Sequence, residues 1–268
     1  MDQKTFYRNA RAYDIAFGER DFDDECDFLE WCLKEHGKVR PKDLKNKSFL
    51  EMASGPSRHA IEFAKRNWRA IALDNSIDML GYASELAQKE NVKLETVSQD
   101  MTEFKLTKPV TLAATMMESI AHLTTNEMMI SHLNSVADSL VPGGIYIIEA
   151  THPNGFFPED EANVWIEKNG DMKVELTFGL PTDEYNYITQ IWNVTTIMRI
   201  WNGNGKVYKT TSNFDLRWYL AQELKAIIEL SGAFEKYWFY GNVYSTPPHP
   251  FDNSEESDSM IIVLRKKR

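Results

Sequence analysis

The sequence predicts an α/β protein, a doubly wound parallel sheet carrying an inserted antiparallel sheet. Three observations predict it. Short apolar runs alternate with amphipathic helical stretches from about Ser48 to Glu149, the pattern of successive βα units. The first run, Phe49-Leu50-Glu51-Met52, opens into small residues, Ala53-Ser54-Gly55-Pro56-Ser57, just before the helical Ala60-Ile61-Glu62-Phe63-Ala64-Lys65. Between about 160 and 214 the pattern changes to alternation, rich in β-branched and aromatic residues.

Taken in order, residues 5–36 read as one or two helices. Phe6, Tyr7, Ala10, Tyr13, Ile15, Ala16 and Phe17 form one apolar stripe, broken at Gly18. Phe22, Cys26, Phe28, Leu29, Trp31 and Leu33 form a second, ended by Gly37. Residues 38–47, with five Lys or Arg, read as a solvated basic linker. The second strand, Ala70-Ile71-Ala72-Leu73, ends on Asp74. The third unit ends at Val97-Ser98-Gln99-Asp100-Met101. The fourth strand, 110–115, leads into Met116-Met117-Glu118-Ser119-Ile120-Ala121-His122-Leu123. A helix over 126–140 carries a core stripe, and the fifth strand, 145–149, follows Val141-Pro142-Gly143-Gly144. The alternating segments 164–166, 173–178, 187–195 and 196–201 predict antiparallel strands, with a hairpin turn at Asn202-Gly203-Asn204-Gly205. A helix over 215–231, a strand over 233–244 and a buried strand at 260–264 complete the chain.

The chemistry concentrates at the strand ends. Small residues at 53–57 let backbone approach a ligand, and the helix that follows points free N–H groups at it. A dinucleotide fingerprint needs three glycines, and only Gly55 is present. Asp74 stands where a carboxylate can accept both hydroxyls of a ribose. Asn75 follows it, Met79 can pack on a flat ring, and Asp100 can accept from an exocyclic amine. Of six histidines, His122 follows the fourth strand, where an open α/β sheet places its ligand crevice. His59 starts a helix and His152 follows the fifth strand; both are lesser candidates. Glu118 is placed to bind a substrate amine or to hydrogen-bond neighbouring backbone.

The ordered segments "ExAxGPSRH", "ALDNSxxML", "QDM", "TMMESIAHL" and "LVPGGxYIIE" resemble a class I S-adenosylmethionine-dependent methyltransferase. The resemblance runs from about residue 5 to 155 and resumes near the C-terminus. "ESIAHL" and the long insertion are most similar to small-molecule methyltransferases, including those acting on the amine of nucleotide-linked aminosugars. The resemblance implies a Rossmann-like seven-stranded sheet with an antiparallel C-terminal edge. It implies S-adenosylmethionine as cofactor, lined by Glu51, Ala53, Gly55, Asp74, Asn75, Met79, Asp100, Met101 and Met116. It also implies an N-terminal segment closed over the methyl donor, which makes Tyr7, Tyr13 and Arg20 candidates for ligand contact. His122, with Tyr7 and Tyr13, is the catalytic candidate. Residues 1–155 and 215–268 are expected to form the core, and 156–214 a substrate lid or a homodimer surface. Trp165, Tyr187, Trp192 and Trp201 are expected to shape the pocket.

Length and charge set the remaining bounds. With 268 residues and 43% apolar content, the chain can build one large core with an elaboration. A net charge of -10 argues against nucleic acid or an anionic membrane as partner. Cys26 and Cys32 fit neither a redox pair nor a zinc knuckle, which predicts free thiols in a reducing cytoplasm. With no apolar signal core and no 18-residue apolar run, no membrane span is expected, and with no HxxxH or HExxH pattern, no metal is expected. A nicotinamide-dependent dehydrogenase and a non-catalytic S-adenosylmethionine binder are the alternative functions. The first leaves Asp100 and His122 unexplained.

Overall fold

The computed structural model describes residues 4–155, 162–203 and 205–268. Five parallel strands form the centre: β1 (Ser48–Met52), β2 (Arg69–Asp74), β3 (Leu94–Ser98), β4 (Val110–Thr115) and β5 (Leu140–Thr151). With β11 (Phe234–Tyr240) and β12 (Ser259–Lys266) they make a seven-stranded sheet in the order β11-β12-β5-β4-β1-β2-β3. Only β12 runs against its neighbours, β5 and β11. The sheet is therefore doubly wound and Rossmann-like, with an antiparallel C-terminal edge.

Strand alternation sends successive side chains to opposite faces. Phe49, Ala70, Leu112 and Ile147 pack on one face with Phe28 and Leu29 of α3 (Phe22–His36) and Phe63 of α5 (Arg58–Lys65). Leu50, Ile71 and Ile148 pack on the other with Leu133 of α7 (Asn126–Ser139) and Ile227 of α8 (Ala221–Ser231). Both faces are covered, as a parallel sheet requires. Cys26 and Cys32 are free thiols in the first of these layers. α6 (Ile77–Lys89) lies between β2 and β3 in the chain. Among the described residues, no helix is long and apolar enough to cross a membrane.

A second sheet is built from β6 (Asn163–Asn169), β7 (Met172–Phe178), β9 (Ile191–Trp201) and β10 (Val207–Arg217), ordered β10-β9-β7-β6, with β8 (Tyr185–Asn186) paired to β9. Its inner face, including Val174, Leu176, Val194, Met198 and Phe214, packs on α1 (Lys4–Tyr7) and α2 (Ala10–Ala16) through Phe6, Ala12 and Ile15. The N-terminal helices are thus backed by this sheet. Residues 156–161 and Asn204 of the expected hairpin turn lie outside the described residues.

Several boundaries differ from expectation. Residues 187–195 do not form one strand, because Tyr187 and Ile188 sit exposed on the turn before β9. The helix expected from residue 215 begins at Ala221, since Asp215–Arg217 remain paired with Asn193–Ile191. The basic linker contains a short helix, α4 (Pro41–Leu44). β5 already begins at Leu140, and its Gly143 has φ +77°, with Lys38 donating N–H to its carbonyl at 2.9 Å. A Cβ there would lie 2.5 Å from Lys38 O, so this close approach requires glycine.

Candidate active site

The turn after β1 is left-handed at three places: Ala53, Gly55 and Ser57 have φ of 47°, 48° and 60°. Asp74 clasps it. The Gly55 N–H donates to Asp74 Oδ2 at 2.8 Å, and Oδ1 accepts from Ser76 N–H at 2.8 Å. Burial pushes the Asp74 carboxyl above its ordinary value, and the Ser76 and Gly55 N–H groups oppose that shift. The space above Gly55 is open: a Cβ would meet only Tyr13 Cε1, at 3.7 Å. Ser57, at the cap position of α5, makes no side-chain cap bond.

Glu51 does the capping instead. Its Oε2 accepts Ala60 N–H at 2.8 Å, one of the donors a helix start leaves unpaired. Its Oε1 lies 2.9 Å from His59 Nδ1, and His59 Nε2 lies 2.7 Å from Glu25 Oε2. Arg20 Nε donates to Glu25 Oε1 at 2.7 Å, and its Nη2 donates to Glu149 at 2.9 and 3.1 Å. Glu51 and Arg20, expected at the ligand, are members of a chain of paired groups that also holds Glu25, His59 and Glu149.

The tyrosines and His122 come together. Tyr7 OH is 3.1 Å from His122 Nε2, and the Phe214 ring stands 5.7 Å from Tyr7 and 5.8 Å from His122. The Tyr7 and Tyr13 rings are 5.9 Å apart. Burial raises both phenols well above their ordinary value; Tyr13 and Asp74 add to the effect at Tyr7, and Asp74 adds to it at Tyr13. Burial lowers the His122 pKa, so the ring is neutral at neutral pH. The helix carrying Tyr13 is anchored by its neighbour Asp14, which accepts from Arg58 at 2.7 and 2.5 Å and from Tyr82 OH at 2.8 Å.

The remaining candidates are placed as follows. Met79 and Met116 are buried, and the Met79 N–H donates to Ser76 Oγ at 3.3 Å as part of the α6 cap. Asn75 is exposed beside Asp74. Asp100 is exposed and its Oδ1 accepts from Thr102 N–H and Oγ1 at 2.8 and 2.6 Å. The Met101 carbonyl pairs with His132 Nδ1 at 2.8 Å. His152 has both nitrogens engaged, by Asp252 O at 2.9 Å and Asn154 N–H at 3.1 Å, which removes it as a base. Of the expected pocket aromatics, Trp165 packs on Phe17 at 5.5 Å. Trp192 and Trp201 occupy opposite faces of β9, nine residues apart, so they cannot share one pocket. Tyr187 is 75% exposed and packs edge-on against Tyr185. Phe214 lies outside the strand segments expected from alternation, and Asp14 and Glu25 lie outside the quoted motifs. An open groove of about 840 Å³ lies between α2, α6 and the inserted sheet, and its lining does not include Tyr7, Tyr13 or His122.

Residues 49–144 match the family model described as a methyltransferase domain. The dTDP-3-amino-3,4,6-trideoxy-alpha-D-glucopyranose N,N-dimethyltransferase of Streptomyces venezuelae is 30% identical over 129 residues, 48% of this chain and 51% of that protein. The match thus spans about half the length of that relative. An S-adenosylmethionine-dependent methyltransferase from Clostridium acetobutylicum shares the fold with a TM-score of 0.75 at 13% identity, over 98% of this chain and 100% of that one. The sugar N-methyltransferase KedS8 from a Streptoalloteichus species does so with a TM-score of 0.72 at 16% identity, over 96% and 93%. Residues 49–144 thus match a methyltransferase domain, and the chain shares its fold with solved S-adenosylmethionine-dependent methyltransferases.

Proposed function

We propose that this protein transfers a methyl group from S-adenosylmethionine to the amine of a small molecule of the aminosugar kind, with His122 taking the acceptor's proton. The observation that carries this reading is the Tyr7–His122 pair, with Tyr13 of the neighbouring α2 against the Gly55–Asp74 clasp. The relative named for N,N-dimethylation of an aminosugar nucleotide supports an amine over a hydroxyl.

The residues present fit the cofactor. The backbone above Gly55 is open, and each Asp74 oxygen keeps a lone pair for a ribose hydroxyl. When bound, S-adenosylmethionine supplies a methyl group already activated by its sulfonium. The chain's own task is to orient the acceptor, exclude water and move one proton. A protonated amine has no lone pair to attack with, so it must first lose its proton. In one tautomer of His122, Nε2–H donates to the Tyr7 oxygen and Nδ1 keeps its lone pair. That tautomer is the base we assign. Tyr7 holds the ring, and Phe214 packs edge-on against it.

Asp74→Ala removes the clasp and the ribose acceptors together. Affinity for S-adenosylmethionine is expected to fall by about 2–4 kcal/mol, since a hydrogen bond to a charged group is worth about 1.5–3. Titration calorimetry measures this, and an unchanged affinity refutes the cofactor assignment. The reaction itself is tested by incubation with S-adenosylmethionine and a panel of nucleotide-linked aminosugars, simple amines and phenols. S-adenosylhomocysteine is expected with amines. Turnover of phenols alone overturns the amine reading, and binding of NAD in place of S-adenosylmethionine overturns the whole.

A further inference from the structure

The backbone after β4 is strained. Met117 and Glu118 both have positive φ, 53° and 56°, and neither is glycine. Such a conformation costs free energy and persists only where its surroundings hold it. One carboxylate does the holding. Glu149, near the end of β5 and 4% exposed, accepts the Met117 N–H on Oε2 at 2.6 Å. The same group is fixed from its other side by Arg20 Nη2, at 2.9 and 3.1 Å to its two oxygens. Arg20 is in turn held by Glu25.

The strained pair leads directly into a single 3-10 turn, Ser119–His122. Ser119 N–H donates to Met116 O at 3.2 Å and Ala121 N–H donates to Glu118 O at 2.9 Å. These bonds make the segment 116–122 one short rigid unit. The plane of the Met117 peptide therefore sets where the His122 ring stands against Tyr7. Arg20 holds the Glu149 carboxylate in place through both of its oxygens.

We infer that Glu149 is a positioning residue for methyl transfer, acting through the Met117 N–H and the 117–122 turn on His122. The inference rests on the role of His122 proposed above. A plain ion-pair role for Glu149 makes a different prediction, and two variants separate them. Glu149→Gln keeps an oxygen that can accept from Met117 N–H but loses the charge opposite Arg20. Glu149→Ala loses both.

Positioning predicts that kcat stays within about threefold in Glu149→Gln and falls about 10–100-fold in Glu149→Ala, because a small misplacement of a catalytic group costs about that much. S-adenosylmethionine affinity should stay within about threefold in both, since the Gly55–Asp74 clasp is untouched. Two readouts need no acceptor: hydrogen exchange at the Met117 amide and the NMR shifts of the His122 ring. Exchange should quicken, and the ring signals should move, in the alanine variant only. If both variants lose stability alike while kcat and the His122 signals hold, Glu149 is merely an ion-pair partner and the inference falls. If the alanine variant does not fold, the glutamine variant decides. Loss of kcat with the Met117 amide still protected overturns the inference, and retention of both upholds it. A wild-type protein with no turnover on the amine panel overturns the proposed reaction alone, and the amide and ring signals still judge the positioning.

Discussion

Replacing His122 with alanine is expected to slow turnover by about 10²–10⁴-fold, the range of general acid–base catalysis, with S-adenosylmethionine affinity changed by less than about threefold. The separation follows from geometry. His122 pairs with Tyr7 and packs against Phe214, whereas the cofactor clasp is made by Gly55, Asp74 and Ser76. The pH profile adds a second signature. Burial holds the ring below the ordinary histidine value of about 6.5, so the base form persists into mild acid. The acid limb of kcat should accordingly lie below that value, and it should vanish in the variant. Tyr7→Phe should give a smaller loss, because the base survives but its ring loses the partner that fixes it. Normal turnover by His122→Ala would reduce this residue to packing, and catalysis would then rest on orientation of an acceptor that enters already neutral.

The fold was legible because every βα unit carries its own apolar strand, its own turn and its own helix stripe. Asp74 ends β2, and Gly55 and His122 fall in the segments that follow β1 and β4, as their sequence positions predict. The site was not legible where side chains pair across long stretches of sequence. Glu51 and Arg20 occupy places that suggest a ligand, yet their partners are Ala60, His59, Glu25 and Glu149. Those partners lie up to 129 residues away in sequence, and no local pattern links them. Parity in a strand was legible but unused. Trp192 and Trp201 differ by an odd number, which alone puts them on opposite faces of β9. The start of α8 was hidden for another reason. Trp218, Leu220, Leu224 and Ile227 fit helical spacing, yet pairing with β9 carries β10 through Arg217 before the helix can begin.

Raising the pH from about 6 to 10 is expected to weaken the fold by on the order of 3 kcal/mol through His59 alone. The ring is 1% exposed and lies between Glu51 and Glu25. Burial disfavours its charge, but the two carboxylates outweigh burial and push its pKa up to about 9. In the unfolded chain it titrates near 6.5. Between these values the folded protein holds a proton that the unfolded chain has released, so stability falls as pH rises. The contribution is complete below about 6.5 and is lost through about 9. A difference of about 2.5 units at 1.36 kcal/mol per unit gives the stated size. Cys26 and Cys32 act in the same direction at the alkaline end, because burial raises both thiols and unfolding frees them to ionise. They are common to wild type and to His59→Gln, so the difference between the two proteins isolates the histidine. Urea unfolding across that pH range should show a shallower decline for His59→Gln, and identical slopes would mean that His59 is not charged in the fold. Glu25→Ala tests the other half of the argument. It strips an acceptor from both His59 and Arg20, leaving buried cations short of partners, and should cost about 3–5 kcal/mol near neutral pH. Its pH dependence should flatten as well, since His59 with Glu51 alone holds its proton less tightly.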